Sequence, residues 1–191
     1  GAGCSRRYAM KTPSTIVVLG LGSNIGDREL ALYRAVSLLL ERKAIYTPVL
    51  SSLYETEPVG HTEQPPFLNM AVMAGTMLLP AKLLAVCKDV ERHIGRIERP
   101  RWHEREIDID ILLYQNKILH QNTLVIPHPH MHERKFVLVP AAEVAPGMVH
   151  PLYRKTIEEL LRACPDNERV EKKGMLKPRK KKRARQRASK G

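Results

Sequence analysis

Glu106-Ile107-Asp108-Ile109-Asp110-Ile111-Leu112-Leu113-Tyr114 is the stretch on which the reading of this chain turns. Successive side chains of a strand point to opposite faces. Ile107, Ile109 and Ile111 therefore turn into a core, while Asp108 and Asp110 stand together on the other face, their Cα atoms roughly 6.5–7 Å apart. Two carboxylates held that close on a rigid strand repel each other unless positive charge sits between them. A divalent cation supplies it, and oxygen-only ligands with no cysteine nearby suit Mg²⁺. A solvated strand face with an arginine partner is the competing reading of a D-x-D.

Working outward, the ten residues upstream hold Arg96, Arg99, Arg101 and Arg105. Guanidinium forks bind phosphate oxygens two at a time. Carboxylates for Mg²⁺ together with arginine donors are what phosphoryl transfer needs, since that chemistry depends on positioning and charge neutralisation. A nucleoside triphosphate is the ligand class implied.

The elements around this strand follow from periodicity and punctuation. Ile16–Leu19 predicts a buried strand stopped by Gly20-Leu21-Gly22-Ser23-Asn24, and Asp27 caps a helix running to about Lys43. Residues 45–54 predict a strand kept at an edge or a start by Pro48. A Pro/Gly loop (55–66) and a third strand (67–78) come next. Pro80 opens a second helix with the stripe Leu83, Cys87, Val90 and Ile94, and Gly95 ends it. After the Arg-rich loop 96–105 and the Asp strand come a hairpin, a Pro/His segment at 127–132, an apolar run at 136–139 and a last helix near 154–164. The order βαββαβ predicts an α+β sandwich of ferredoxin-like type, with a mainly antiparallel central sheet and helices packed on it.

Composition bounds the function. The 191 residues carry 32 Lys and Arg against 20 Asp and Glu, a net charge of +12 that invites a nucleic-acid or anionic-surface reading. Residues 172–191 hold eleven of those bases and no acid, so the rest of the chain stands at only +1. Three scattered cysteines, Cys4, Cys87 and Cys164, give no zinc spacing and suit reduced thiols in a cytoplasmic protein. No apolar run reaches membrane-spanning length, and the first ten residues lack a signal-peptide core. Met10-Lys11 reads as a natural start after a short extension.

Other clusters are less specific. Gly20, Gly22 and Gly26 miss the dinucleotide fingerprint by one residue and suit a tight turn into a capped helix; no P-loop occurs. Thr56, Pro58, Val59, Gly60, Gln64, Phe67 and Asn69 combine a Pro/Gly loop, an aromatic and an amide, which together can hold a flat heterocycle. Phe136 would supply its second face, although either phenylalanine also suits a core. His128, between prolines, is a phosphate donor or a turn residue; His61, His103, His130 and His132 show no metal spacing.

With these residues in view, the chain resembles the 6-hydroxymethyl-7,8-dihydropterin pyrophosphokinases of folate biosynthesis. The resemblance rests on Gly22–Asp27, Ser52–Gly60, Gln64–Asn69, Glu91–Arg96, Arg101–Asp110 and Ile126–Phe136, in the family's order. It implies an ATP-dependent diphosphotransferase that moves the β,γ-pyrophosphoryl unit to the pterin hydroxymethyl oxygen and releases AMP. It implies that Asp108 and Asp110 bind two Mg²⁺ with ATP and that Asp110 also positions the hydroxyl. Arg96 and Arg105 would be catalytic, and Arg101 and Trp102 would close a loop over the site. Glu91, Arg96, Arg101, Trp102, Ile111, His128 and Arg134 match ATP-contacting positions. Thr56, Pro58, Val59, Phe67, Asn69 and Phe136 match the pterin site, the two phenylalanines sandwiching the ring.

On the same footing, residues 1–13 are an extension, 14–170 the pyrophosphokinase domain, and 171–191 a basic tail expected to be disordered. A cytoplasmic monomer without membrane contact is expected. Departures from the family pattern are a shortened loop with Glu98 and Arg99, Pro129 in place of a tyrosine, and Glu57 in place of a proline. Two rival readings stand beside it: a nucleic-acid-binding module resting on the basic tail, with non-specific polyanion contact as its accessory form, and a kinase fold retained only for binding.

Overall fold

The computed structural model describes residues 15–57, 64–95 and 106–177. Of the expected site residues, Pro58, Val59, Arg96, Arg101, Trp102 and Arg105 lie outside the described residues, as do the extension 1–13 and the chain beyond 177.

A six-stranded, wholly antiparallel sheet organises the domain: β1 (Thr15–Ser23), β2 (Tyr46–Leu50), β3 (Leu53–Thr56), β4 (Phe67–Thr76), β5 (Asp108–Tyr114) and β10 (Val170–Gly174). Its order is β10-β3-β4-β1-β5, with β2 beside the other half of β4. Two short hairpins, β6 (Leu119–Gln121) with β7 (Leu124–Ile126) and β8 (Val149–His150) with β9 (Lys155–Thr156), stand apart from it. Helices α1 (Arg28–Glu41) and α2 (Pro80–Ile94) cover one face of the large sheet. Helices α3 (Lys135–Val144) and α4 (Ile157–Arg162) cover part of the other. The α+β sandwich with a mainly antiparallel sheet is thus as expected.

The alternation in β5 is the sorting device. Ile107, Ile109 and Ile111 join Val17, Leu19 and Leu21 of β1 and Leu32, Leu39, Leu83 and Val90 of the two helices in one buried cluster. Asp27 caps α1, its carboxylate accepting the Leu30 N–H at 3.0 Å, and Gly95 ends α2 with φ +106°.

Three boundaries differ from expectation. β1 continues through Gly20 and Gly22 to Ser23 instead of stopping at the glycines, because it is paired on both sides and the ladder overrides glycine's weak strand preference. The single strand expected over 45–54 is two: Ser51 turns its hydroxyl to accept the Ala71 N–H at 2.8 Å, and the chain steps from one half of β4 to the other. Pro48 falls in an irregular stretch of β2, where no ladder donor is required. Finally, the domain boundary expected at residue 170 coincides with the start of β10, which pairs with β3, so the first basic residues of the tail belong to the sheet. The Glu143 carboxylate ties α3 to β3, accepting from the Ser52 N–H (3.0 Å), the Ser52 hydroxyl (2.8 Å) and the Tyr54 hydroxyl (2.7 Å).

Candidate active site

Strand pairing sets out the floor of the site. Gly22 of β1 is in register with Asn69 of β4 on one side and Asp108 of β5 on the other, and Gly20 lies between Ala71 and Asp110. The two glycines put no side chain of their own between the amide and the carboxylates; Leu112 leans over Gly20 and Asn69 over Gly22. A Cβ on Gly22 would come 2.9 Å from Asn69 Oδ1. Above this floor opens a cavity of about 800 Å³. It gathers Thr56, Phe67, Asn69, Asp108, Asp110, His128, Arg134 and Phe136, residues expected in the site from four separate stretches of sequence.

At one end of the cavity, Asn69 Nδ2 donates to Thr56 Oγ1 at 2.9 Å, both residues being buried, which fixes the amide against the end of β3. Phe67 begins β4 and Phe136 sits in the first turn of α3, each half-buried. The Arg134 guanidinium carbon lies 5.9 Å from the Phe136 ring centroid, within cation–π range. The return of the loop is anchored: Asn24 Nδ2 donates to Gln64 Oε1 (3.2 Å) and the Pro65 carbonyl (3.3 Å), and Arg28 donates to the Pro66 carbonyl (2.6 Å) and Glu55 (2.8 Å).

At the other end, Asp108 and Asp110 are half-buried and face the cavity from the edge strand β5. The Lys88 ammonium lies 4.0 Å from Asp108 and 3.0 Å from Glu91, offsetting part of the like-charge repulsion. Among the described residues no group of three or more His, Cys, Asp or Glu gathers for a metal. A two-carboxylate donor set fits Mg²⁺, which keeps several waters and takes further ligands from substrate phosphates. His128 donates its N–H to the Leu112 carbonyl (2.9 Å), and its Nδ1 accepts the His130 N–H (3.2 Å), so Nε2 carries the ring proton. Burial, then Arg134 and His130, pushes its pKa down to about 4, so the ring is a neutral donor at physiological pH.

Two expected nucleotide contacts are placed differently. Glu91 is 2% exposed and off the cavity wall: its carboxylate accepts the Ile109 N–H at 2.7 Å, between the two aspartates. The Ile111 side chain belongs to the core, so only its main chain is left to meet a ligand. Several wall residues were not singled out from sequence, Lys88, Glu133, Asp166 and Glu168 among them. Lys88 was hidden on the polar side of α2, with its i,i+3 spacing to Glu91 as the available signal, and Asp166 and Glu168 lie in an irregular stretch with no signal at all.

Residues 18–146 match the family model described as 7,8-dihydro-6-hydroxymethylpterin-pyrophosphokinase (HPPK). A 2-amino-4-hydroxy-6-hydroxymethyldihydropteridine pyrophosphokinase from Aquifex aeolicus is 43% identical over 143 residues, 75% of this chain and 88% of that protein. Its namesake from Bacillus subtilis is 46% identical over 131 residues, 69% of this chain and 78% of that protein. Among solved structures, an HPPK-DHPS in complex with substrates superposes with a TM-score of 0.61 at 17% identity. That match covers 79% of this chain and 43% of the longer one, and it speaks for the fold alone. The chain therefore belongs to the 7,8-dihydro-6-hydroxymethylpterin-pyrophosphokinase family, whose reaction is pyrophosphoryl transfer to hydroxymethyldihydropterin in folate biosynthesis.

Proposed function

We propose that the cavity runs this reaction with ATP at the carboxylate end and the pterin at the phenylalanine end. The observation that carries the assignment is the row Asn69–Gly22–Asp108. It sets the Asn69 amide and the Asp108 carboxylate on one floor, about 10 Å apart at two strand spacings, which supports heterocycle reading by the first and metal binding by the second. That separation suits a pterin whose hydroxymethyl arm reaches toward the phosphates.

Asp108 and Asp110 would hold two Mg²⁺ with ATP. Bound there, the metal would supply charge neutralisation for the phosphates. Asp110 orients the hydroxymethyl oxygen. The neutral His128 donates Nε2–H to a phosphate oxygen, and Arg134 adds a charged donor on the same wall. Glu91 acts through the strand: by holding the Ile109 N–H it fixes the spacing of the two carboxylates. Phe67 and Phe136 stack on the two faces of the pterin, and Asn69 with Thr56 reads its edge. Pro58 and Val59 are assigned to the pterin, and Arg96, Arg101, Trp102 and Arg105 to loop closure and to the charge of the transferring group, on the family resemblance.

The protein is proposed to act as a cytoplasmic monomer, with the basic residues beyond 177 making only non-specific polyanion contact. No helix of the described residues is long and apolar enough to cross a membrane. The reading is tested by incubating protein, Mg²⁺, ATP and 6-hydroxymethyl-7,8-dihydropterin and identifying the nucleotide product. Pterin-dependent AMP is expected; ADP, or no turnover, would refute it.

A further inference from the structure

The segment between α4 and β10 closes one side of the cavity. Asp166 organises it: Oδ2 accepts the Lys135 N–H at the start of α3 (2.9 Å), and Oδ1 accepts the Glu168 N–H (2.8 Å). One carboxylate thus locks Glu168 to the turn that carries Phe136. On the other side, Val170 is in register with Thr56, so Glu168 lies two residues beyond the paired end of β3, beside Glu57. Glu168 lines the same cavity as Thr56, Phe67 and Phe136. Its Oε2 is shielded from solvent and has no hydrogen-bond partner among the described residues. A buried carboxylate oxygen without a donor is costly and scarce in folded proteins, and in a binding cavity it calls for a donor on the ligand.

We propose that Glu168 is a specificity-determining residue for the pterin, its carboxylate accepting hydrogen bonds from the exocyclic amine and the adjacent ring N–H. Those two groups form a side-by-side donor pair on the pyrimidinone edge, and a carboxylate offers the matching pair of acceptors. Burial, together with the charges of Asp166 and Glu57, pushes the Glu168 pKa up to about 6, so the group is charged at neutral pH but poorly solvated. Ligand N–H donors supply what the described residues do not. The inference rests on the assignment of this end of the cavity to the pterin.

The experiment is steady-state kinetics of the wild type, Glu168→Gln and Glu168→Ala with ATP, Mg²⁺ and 6-hydroxymethyl-7,8-dihydropterin, repeated with the analogue lacking the 2-amino group. In both variants the pterin KM is expected to rise about tenfold or more, with kcat changed less than about threefold and the ATP KM unchanged. The wild type should prefer the parent over the analogue about tenfold or more, and the variants should lose most of that preference. An unchanged pterin KM, or an equal loss of parent and analogue, overturns the proposal. So does a parallel loss of ATP affinity, which would make Glu168 a scaffold residue. Absence of wild-type turnover would overturn the pterin assignment itself, a result separate from the other three.

Discussion

Asn69 and Asp108 face the same cavity from two strands that never touch, held in register by Gly22 between them. The glycine has no bulk to interpose, and an added Cβ would meet Asn69 Oδ1 at 2.9 Å, so a larger residue must move the amide. Space, and not backbone conformation, is what favours glycine here.

Gly22→Ala should therefore displace the Asn69 amide and break its bond to Thr56. The pterin KM should rise about tenfold while the ATP KM stays put, with a stability loss of about 1–2 kcal/mol from overpacking. Kinetics and denaturant melts check both; an unaltered pterin KM would show that the amide plays no part in binding.

Removing either aspartate should separate chemistry from folding. Asp108→Asn and Asp110→Asn should each lower kcat roughly a thousandfold or more, the several kcal/mol that metal-held charge stabilisation supplies. The melting temperature should move by less than about 2 °C, because both side chains face the cavity and not the core. A variant that turns over normally would contradict the metal assignment.

Glu91 should behave as a strut. Glu91→Ala leaves the Ile109 N–H without its acceptor and should cost about 1.5–3 kcal/mol of stability, with kcat falling along with it. Glu91→Gln retains an acceptor oxygen and should recover most of the stability. If alanine and glutamine are equally stable, the bond to β5 is not what the residue provides.

His150 gives the fold an acid sensitivity far from the site. It is 1% exposed, and burial, then His132, pushes its pKa down to about 4 from the ordinary 6.5. The unfolded chain takes up its proton near pH 6.5 and the folded chain only near pH 4. Between those values the unfolded state binds more protons, so stability falls as pH drops through that window, by up to about 3 kcal/mol. The melting temperature should fall from pH 7 to pH 5 in the wild type and fall less in His150→Asn. An identical fall in both would exonerate the histidine.

Much of this was legible in the chain. The alternation Ile107 to Ile111 sorted core from site, because strand geometry leaves only two faces. Asp27, Pro80 and Gly95 marked helix ends because capping needs are local. The division of +12 into a near-neutral body and a basic tail needed only counting. What failed locally failed for one reason. Gly20 and Gly22 looked like a turn because glycine usually makes one, and only pairing on both sides keeps them in a strand. The bond from the Ile109 N–H to Glu91 had no local signal either, because the two residues are 18 apart in the chain.

By itself, then, the sequence determined which residues carry charge, stack or cap, since those are properties of side chains and short spacings. Only the tertiary structure decided which of them meet. The floor joins β4, β1 and β5, Glu91 is turned from the cavity to the strand beneath it, and Glu168 is brought to the cavity wall that holds Thr56 and Phe67 by the return of β10 to β3. Register and burial are set by contacts between residues far apart in the chain, and no local pattern encodes them.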